Sequence, residues 1–130
     1  MRVFYGIVHK DEDSAYGVSF PQLPGVFSAA DADEDIAFNA GEALELYFED
    51  ADEVDAWPVE RVVEAARDDL AAGAFLVAVP HVKSTMKPVR ANISLDSGLL
   101  TAIDVAAGDR KLTRSAFIAQ AALYAIRNNI

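Results

Sequence analysis

The chain opens with two stretches rich in β-branched and aromatic residues, and the second of them alternates apolar and polar positions. The first covers residues 2–9, and after a polar turn at 11–14 the second covers Tyr16–Phe20. This pattern is typical of half-buried strands, so the two stretches predict a β-hairpin. Two prolines restrict the backbone of Pro21–Gly25, which we expect to form an irregular turn before a third strand at Val26–Ala29.

The pattern then becomes helical. Within Ile36–Tyr47 the apolar residues recur every three or four positions, which is the spacing of one helix face. These residues predict a long amphipathic helix that follows an aspartate-rich start at 31–35 and ends near Asp50.

A second helix is expected after Trp57, with Pro58 at its first position and Gly73 at its end. Every position of the following run, Ala74–Val79, is apolar, as in a strand that is covered on both faces. Residues 1–80 are therefore predicted to form an α+β domain of element order βββααβ.

A polar segment at 81–88 ends in proline, and we interpret it as a linker. Beyond it, residues 89–95 alternate between apolar and polar positions, which predicts a strand with two different faces. A helix capped by Asp96 or Ser97 should follow and stop at Gly108.

A last helix, capped by Thr113, is apolar around most of its circumference, so it should be buried on more than one side. One strand and two helices in residues 89–130 are too few to bury this surface alone, and domains of about 40 residues or fewer usually need a partner. We therefore expect a dimer, in which antiparallel pairing of the two strands buries Ile93, Leu95, Ile103, Phe117 and Ile118.

Composition restricts the classes of protein that the chain can belong to. Of its 130 residues 52% are apolar and none is cysteine, which excludes a disordered tail, a disulfide scaffold and a thiolate metal site. No apolar run reaches the about 20 residues that a membrane helix requires, and the N-terminus does not resemble a secretory signal. We expect a cytoplasmic protein without a membrane partner.

Charge is distributed unevenly along the chain. The net charge is −10 overall; residues 1–80 hold four basic and eighteen acidic side chains, and residues 81–130 hold seven basic and three acidic ones. The two parts therefore carry −14 and +4. Because each field attracts a surface of opposite sign, the distribution suggests a basic protein partner for the first part and nucleic acid for the second.

The alternation at 89–95 assigns candidate DNA-binding residues. It places Arg90, Asn92 and Ser94 on the face opposite Ile93 and Leu95. Two such strands paired antiparallel would form a ribbon that fits the major groove, where arginine suits guanine and asparagine suits adenine. The alternative is an amphipathic edge strand whose polar residues are only solvated.

The start of the last helix is a second candidate. Thr113, Arg114 and Ser115 lie where unpaired amides and the positive end of the helix dipole attract phosphate. The alternative is an ordinary helix cap with an exposed arginine, and the two interpretations are compatible.

The acidic clusters at 11–13 and 31–35 could be metal-binding carboxylates of a nuclease, but turns and helix starts favour acids without any metal. His9 and His81 lie in no metal-ligand motif, and a structural or surface role is expected for each. No phosphate-binding loop, dinucleotide fingerprint or nucleophile elbow is present. We therefore expect no catalytic residue, no metal and no cofactor. The positions that we expect to contact a basic partner are Asp11, Glu12, Asp13, Asp31 and Asp33.

With these residues assembled, the chain resembles the HicB family of type II antitoxins over essentially its whole length. The segment YGVSFPQLPGVFSAADADEDIAFNAGEALELYFE is similar to the family's N-terminal signature, and VRANISLDSGLLTAIDVAAGDRKLTRSAFIAQAA is similar to its ribbon-helix-helix module. The second pattern is common among bacterial regulators, whereas the two in this order are quite specific. The sequence departs from the family at Ala30 and Ala32, where glycine and threonine are usual.

The resemblance implies a truncated RNase H-like domain, lacking catalytic carboxylates, that sequesters a HicA-like ribonuclease toxin. It also implies a C-terminal ribbon-helix-helix dimer that binds operator DNA, and leaves open whether the N-terminal domains join dimers into a tetramer. One alternative is a free-standing ribbon-helix-helix regulator whose N-terminal domain serves oligomerisation or sensing. Another is an RNase H-like nuclease that needs a divalent metal.

Overall fold

The first half of the chain is organised around a four-stranded antiparallel sheet of order β3-β2-β1-β4. A computed structural model describes all 130 residues, which divide into two units, Met1–Ser84 and Thr85–Ile130. The elements are β1 (Arg2–Lys10), β2 (Tyr16–Phe20), β3 (Leu23–Ala30), a 3₁₀ turn (Asp33–Asp35), α1 (Ile36–Asp50), α2 (Val59–Ala65), α3 (Arg67–Ala71), β4 (Phe75–His81), α4 (Ser97–Asp109) and α5 (Arg114–Arg127).

Helices cover both faces of the sheet because successive side chains of β1 point in opposite directions. Phe4 and Val8 belong to the core beneath α1, and Ile7 packs with residues of α2 and α3 on the other side. The first unit is thus an α+β arrangement of three layers, with α1 against one face and the two short helices against the other. The expected fold class is confirmed at this level.

The expected turn at Pro21–Gly25 is only partly correct. β3 begins at Leu23, so Pro24 and Gly25 lie within the strand, and the register with β2 shifts at Ser19 and Phe20. Proline is tolerated there because β3 is an edge strand, where a missing amide need not cost a ladder hydrogen bond.

The region after Trp57 also differs from expectation. Pro58 is the cap residue before α2, and the single expected helix is broken at Ala66, whose ψ is 15°. No sequence signal marks this break, since alanine is the best helix former. Gly73 does end the helical region, with a φ of 108°. β4 is an edge strand and its first residue, Phe75, is exposed, so the expectation of a strand covered on both faces was wrong there.

In the second unit α4 and α5 pack together, and each begins as expected. The Asp96 carboxylate accepts a hydrogen bond from the Leu99 amide at 3.1 Å, and Thr113 Oγ1 accepts one from the Ala116 amide at 3.1 Å. The expected stop at Gly108 was wrong: α4 continues to Asp109 and is closed by Lys111, whose φ is 55°.

Residues 82–96 form neither helix nor strand, so the strand expected at 89–95 is absent from the single chain. A strand exists only beside a hydrogen-bonded neighbour, and the expected neighbour is the same segment of a second copy. The helices of the structure include none with the length and apolar character required to cross a bilayer.

Candidate functional site

The turn between α4 and α5 presents the candidate phosphate-binding residues. Thr113, Arg114 and Ser115 are all exposed at the start of α5. The Thr113 hydroxyl and carbonyl accept hydrogen bonds from the Ala116 and Phe117 amides at 3.1 and 3.0 Å. This leaves the earliest amides of α5 to an external acceptor, as at the N-terminus of other helices that bind anions.

Arg114 is engaged within the unit. Its Nε and one terminal nitrogen donate to the two carboxylate oxygens of Asp104 on α4, each at 2.9 Å. These hydrogen bonds, with a smaller contribution from the charge of the guanidinium, lower the pKa of Asp104 although desolvation opposes the shift. The same hydrogen bonds raise the pKa of Arg114. A phosphate that binds Arg114 must therefore compete with this carboxylate.

The candidate base-reading residues lie elsewhere in the unit. Arg90, Asn92 and Ser94 are exposed in the segment between the linker and α4. The apolar residues between them are also exposed, with 60% of Ile93 accessible. Of the expected dimer core, Ile103, Phe117 and Ile118 are half-buried, whereas Ile93 and Leu95 are exposed, Ile93 more than Leu95.

The sheet brings the two acidic segments to one end. Lys10 pairs with Tyr16, and Tyr16 pairs with Ala30, so the turn after β1 and the connection after β3 leave the sheet side by side. Both segments are exposed, and no three carboxylates converge closely enough to hold a metal ion. We call this feature the acidic end; it comprises Asp11, Glu12, Asp13, Asp31, Asp33, Glu34 and Asp35.

Sequence reasoning missed a side-chain clamp that positions the connection between α1 and α2. Gln22 donates to the Asp55 carbonyl at 2.6 Å and accepts from the Trp57 amide at 2.8 Å. The Arg61 guanidinium stacks over the Trp57 ring at 3.9 Å. Because Gln22 is more than 30 residues away from its partners, no local pattern could have identified this clamp.

Another group was missed where β4 ends. His81 is buried, its Nε2 lies 3.1 Å from Glu53, and the same carboxylate accepts a hydrogen bond from Arg2 at 3.3 Å. The imidazole ring packs against Phe48 with the ring centroids 4.6 Å apart. His81 therefore has a structural environment, while His9 is exposed.

Comparison with known proteins decides the family. Residues 4–122 match the profile described as the HicB-like antitoxin of bacterial toxin–antitoxin systems. The chain belongs to this antitoxin family. Membership implies a toxin partner and indicates a regulatory role, in agreement with the resemblance drawn from the two sequence segments.

Two solved structures resemble this HicB-like chain along nearly its whole length. One is the crystal structure of the Burkholderia pseudomallei antitoxin HicB, whose sequence is 34% identical. The alignment covers 100% of both chains, with a TM-score of 0.53. The crystal structure of antitoxin HicB3 is 25% identical, covers 95% of this chain and 97% of its own, and has a TM-score of 0.52. No curated protein matches the chain.

Proposed function

We propose that this HicB-like protein neutralises a HicA-like ribonuclease toxin with its first unit and represses its own operon with its second. The observation that supports the proposal most strongly is the family match across both units. The uneven charge agrees with it, since residues 1–80 carry −14 and residues 81–130 carry +4. A protein that cleaves RNA is expected to be basic and to be attracted by the first unit.

The acidic end is the part of the first unit that we propose to attract the toxin. Its side chains are exposed and lie on two adjacent connections of the sheet. Surface charges accelerate encounter with a basic partner more than they strengthen the final complex. The toxin-contacting residues in this proposal are Asp11, Glu12, Asp13, Asp31 and Asp33. We further propose that this unit is a truncated RNase H-like fold that does not cleave RNA.

The second unit is proposed to dimerise as a ribbon-helix-helix module. Ile93 and Leu95 are exposed in one chain, at 60% and 38%, and antiparallel pairing with a second copy would cover them further. In the resulting ribbon, Arg90, Asn92 and Ser94 would face the base edges while Thr113, Arg114 and Ser115 hold phosphates. Sedimentation of the full-length chain distinguishes this dimer from a tetramer in which the first units join two dimers.

The decisive experiment uses the purified product of a small basic open reading frame adjacent to this gene. We expect it to cleave RNA, and the full-length chain to stop the cleavage near equimolar ratio and to bind its own promoter. RNA cleavage that persists with a large excess of the chain contradicts neutralisation. Promoter binding without inhibition would favour the free-standing regulator instead.

A further inference from the structure

The outer face of α1, the side turned away from the sheet, exposes an apolar residue between acidic ones that make no contribution to the core. The helix packs Ala40, Leu44 and Phe48 into the core, and its opposite side exposes Glu42, Leu46 and Glu49. These three positions are separated by four and three residues, so they form one stripe on the helix surface. Leu46 is 59% exposed in the middle of that stripe.

The charges on this helix are all of one sign. α1 contains Glu42, Glu45, Glu49 and Asp50 but no lysine or arginine. A surface helix normally gains stability from acid–base pairs three or four residues apart, and like charges at these spacings destabilise it. Acids that repel one another therefore surround an exposed leucine, and this arrangement indicates that the face contacts a basic partner and is not simply solvated.

Two other prominent surfaces of the first unit, the acidic end and the exposed edge strand β3, have only one of these two properties. The acidic end is highly charged, but no large apolar side chain is exposed within it. Phe27 on β3 is 71% exposed, but it pairs with Ser19 and its strand has no charged residue. Protein interfaces combine an apolar anchor at the centre with charged groups at the rim, and the outer face of α1 has both.

We propose that the outer face of α1 is the docking surface for the basic toxin, with Leu46 as the anchor and Glu42 and Glu49 paired with basic side chains of the toxin. This inference rests on the proposed neutralisation and specifies where it takes place. The acidic end then contributes contacts that set mainly the association rate, whereas the α1 face sets mainly the dissociation rate.

The test measures association and dissociation rates between the full-length chain and the purified basic product of the adjacent reading frame. Leu46→Ala should weaken binding about tenfold or more, chiefly through faster dissociation. Val63→Ala is the matched control, because Val63 is an exposed apolar residue on α2, against the other face of the sheet, and it should change the affinity less than about twofold. Alanine preserves the helix in both variants, and urea unfolding checks this.

A pair of charge reversals separates docking from attraction. Glu42→Lys with Glu49→Lys and Asp11→Lys with Asp13→Lys change the net charge equally. We expect the first pair to speed dissociation even at high salt, and the second to slow association only at low salt.

The proposal is overturned if Leu46→Ala binds the toxin no worse than Val63→Ala. It is also overturned if Leu46→Ala alters only self-association of the free chain in sedimentation, because the face would then pair with a second copy. A wild-type chain that does not bind the basic product at all contradicts the proposed neutralisation itself. The two failures are therefore distinguishable.

Discussion

At the scale of single residues, Gly6 shows how closely β1 and its neighbours pack. A Cβ atom at this position would lie 2.7 Å from Val18 Cγ1, 3.2 Å from Phe20 and 3.3 Å from Val77. Gly6→Ala should therefore lower the free energy of unfolding by about 1–3 kcal/mol, as overpacking of a core does. Urea denaturation of the full chain measures this change.

Gly17→Ala is the control for that measurement. A Cβ atom there would meet only the His9 carbonyl oxygen, at 4.0 Å, so the substitution should be neutral or slightly stabilising. Equal destabilisation by both variants would show that loss of a strand glycine, and not the close approach to Val18, is responsible.

Asp104 binds the same guanidinium through which Arg114 is proposed to hold phosphate, and we expect the two to compete. Its carboxylate accepts two hydrogen bonds of 2.9 Å from the Arg114 guanidinium. Asp104→Asn should tighten binding to operator and to scrambled duplexes alike and steepen the salt dependence by about one for each additional phosphate that the protein neutralises. A salt-titrated binding assay provides both values.

Asp109→Asn removes the same charge from the end of α4 without touching Arg114, and it should have a smaller effect on affinity. If Asp104→Asn weakens DNA binding, the carboxylate positions Arg114 for phosphate and does not compete with it.

The lowered pKa of Asp104 also makes the free energy of unfolding depend on pH. The ion pair contributes above the carboxyl's unfolded pKa, and this contribution is lost as pH falls through the lowered folded value.

At the scale of elements, three helices end in the same way. α3, α4 and α5 each finish with a left-handed residue, and the two amides that follow the last helical turn bond back to it. The left-handed positions are Gly73, Lys111 and Asn129. Lysine is the least suited of the three, because glycine has no Cβ to be strained in this region and asparagine tolerates it better than other side chains do.

Lys111→Gly should therefore raise the free energy of unfolding by about 0.5–1 kcal/mol, the relief of strain exceeding the added entropy of the unfolded chain. Thermal unfolding at fixed protein concentration is the measurement, because the stability of the proposed dimer would depend on concentration. Asn129→Gly should have a smaller effect, since asparagine tolerates the left-handed region. A Lys111→Gly variant less stable than wild type would mean that the lysine side chain makes a stabilising interaction.

Elements with strong local patterns were predictable. The strand Tyr16–Phe20 and the helix ending at Asp50 agree with the structure. The cap at Thr113 was correct, and of the two alternatives for α4, Asp96 and Ser97, the cap is Asp96. The break at Ala66 and the clamp made by Gln22 were not predictable, because they depend on tertiary partners. For the candidate sites, the local pattern identified the two acidic segments separately, and only the sheet register shows that they share one end.

The proposed ribbon leads to another prediction at this scale. The alternation that points Ile93 and Leu95 to the core of a dimer projects Arg90 and Asn92 outward. Arg90→Ala and Asn92→Ala should each cost about 1–3 kcal/mol for every base that the side chain reads on the operator, and should relax sequence preference. Competition assays with operator and scrambled duplexes measure the difference. Equal weakening on both duplexes would contradict base reading by these residues, even if DNA binding itself persists.

At the scale of the whole molecule, the two units carry opposite charge and two proposed activities, and only the second of these activities requires the proposed dimer. Each chain would supply one toxin-binding unit, whereas DNA binding needs two chains because one strand cannot form a ribbon. Loss of the dimer should therefore abolish DNA binding and leave toxin binding largely intact. This separation distinguishes the antitoxin from a regulator whose first unit serves only oligomerisation.

Ile93→Asp in the full-length chain tests this separation. It places a charge where two copies are proposed to bury apolar surface, and burying an unpaired charge is strongly unfavourable. We expect a monomer in sedimentation, no operator binding, and toxin binding within about twofold of wild type because the toxin anchor is untouched. Ser94→Asp is the matched control: it adds the same charge to the opposite face, so the dimer should persist while DNA affinity falls through repulsion by phosphate. A dimeric Ile93→Asp variant would show that the ribbon is not the dimer interface, and that the two copies associate through another part of the chain.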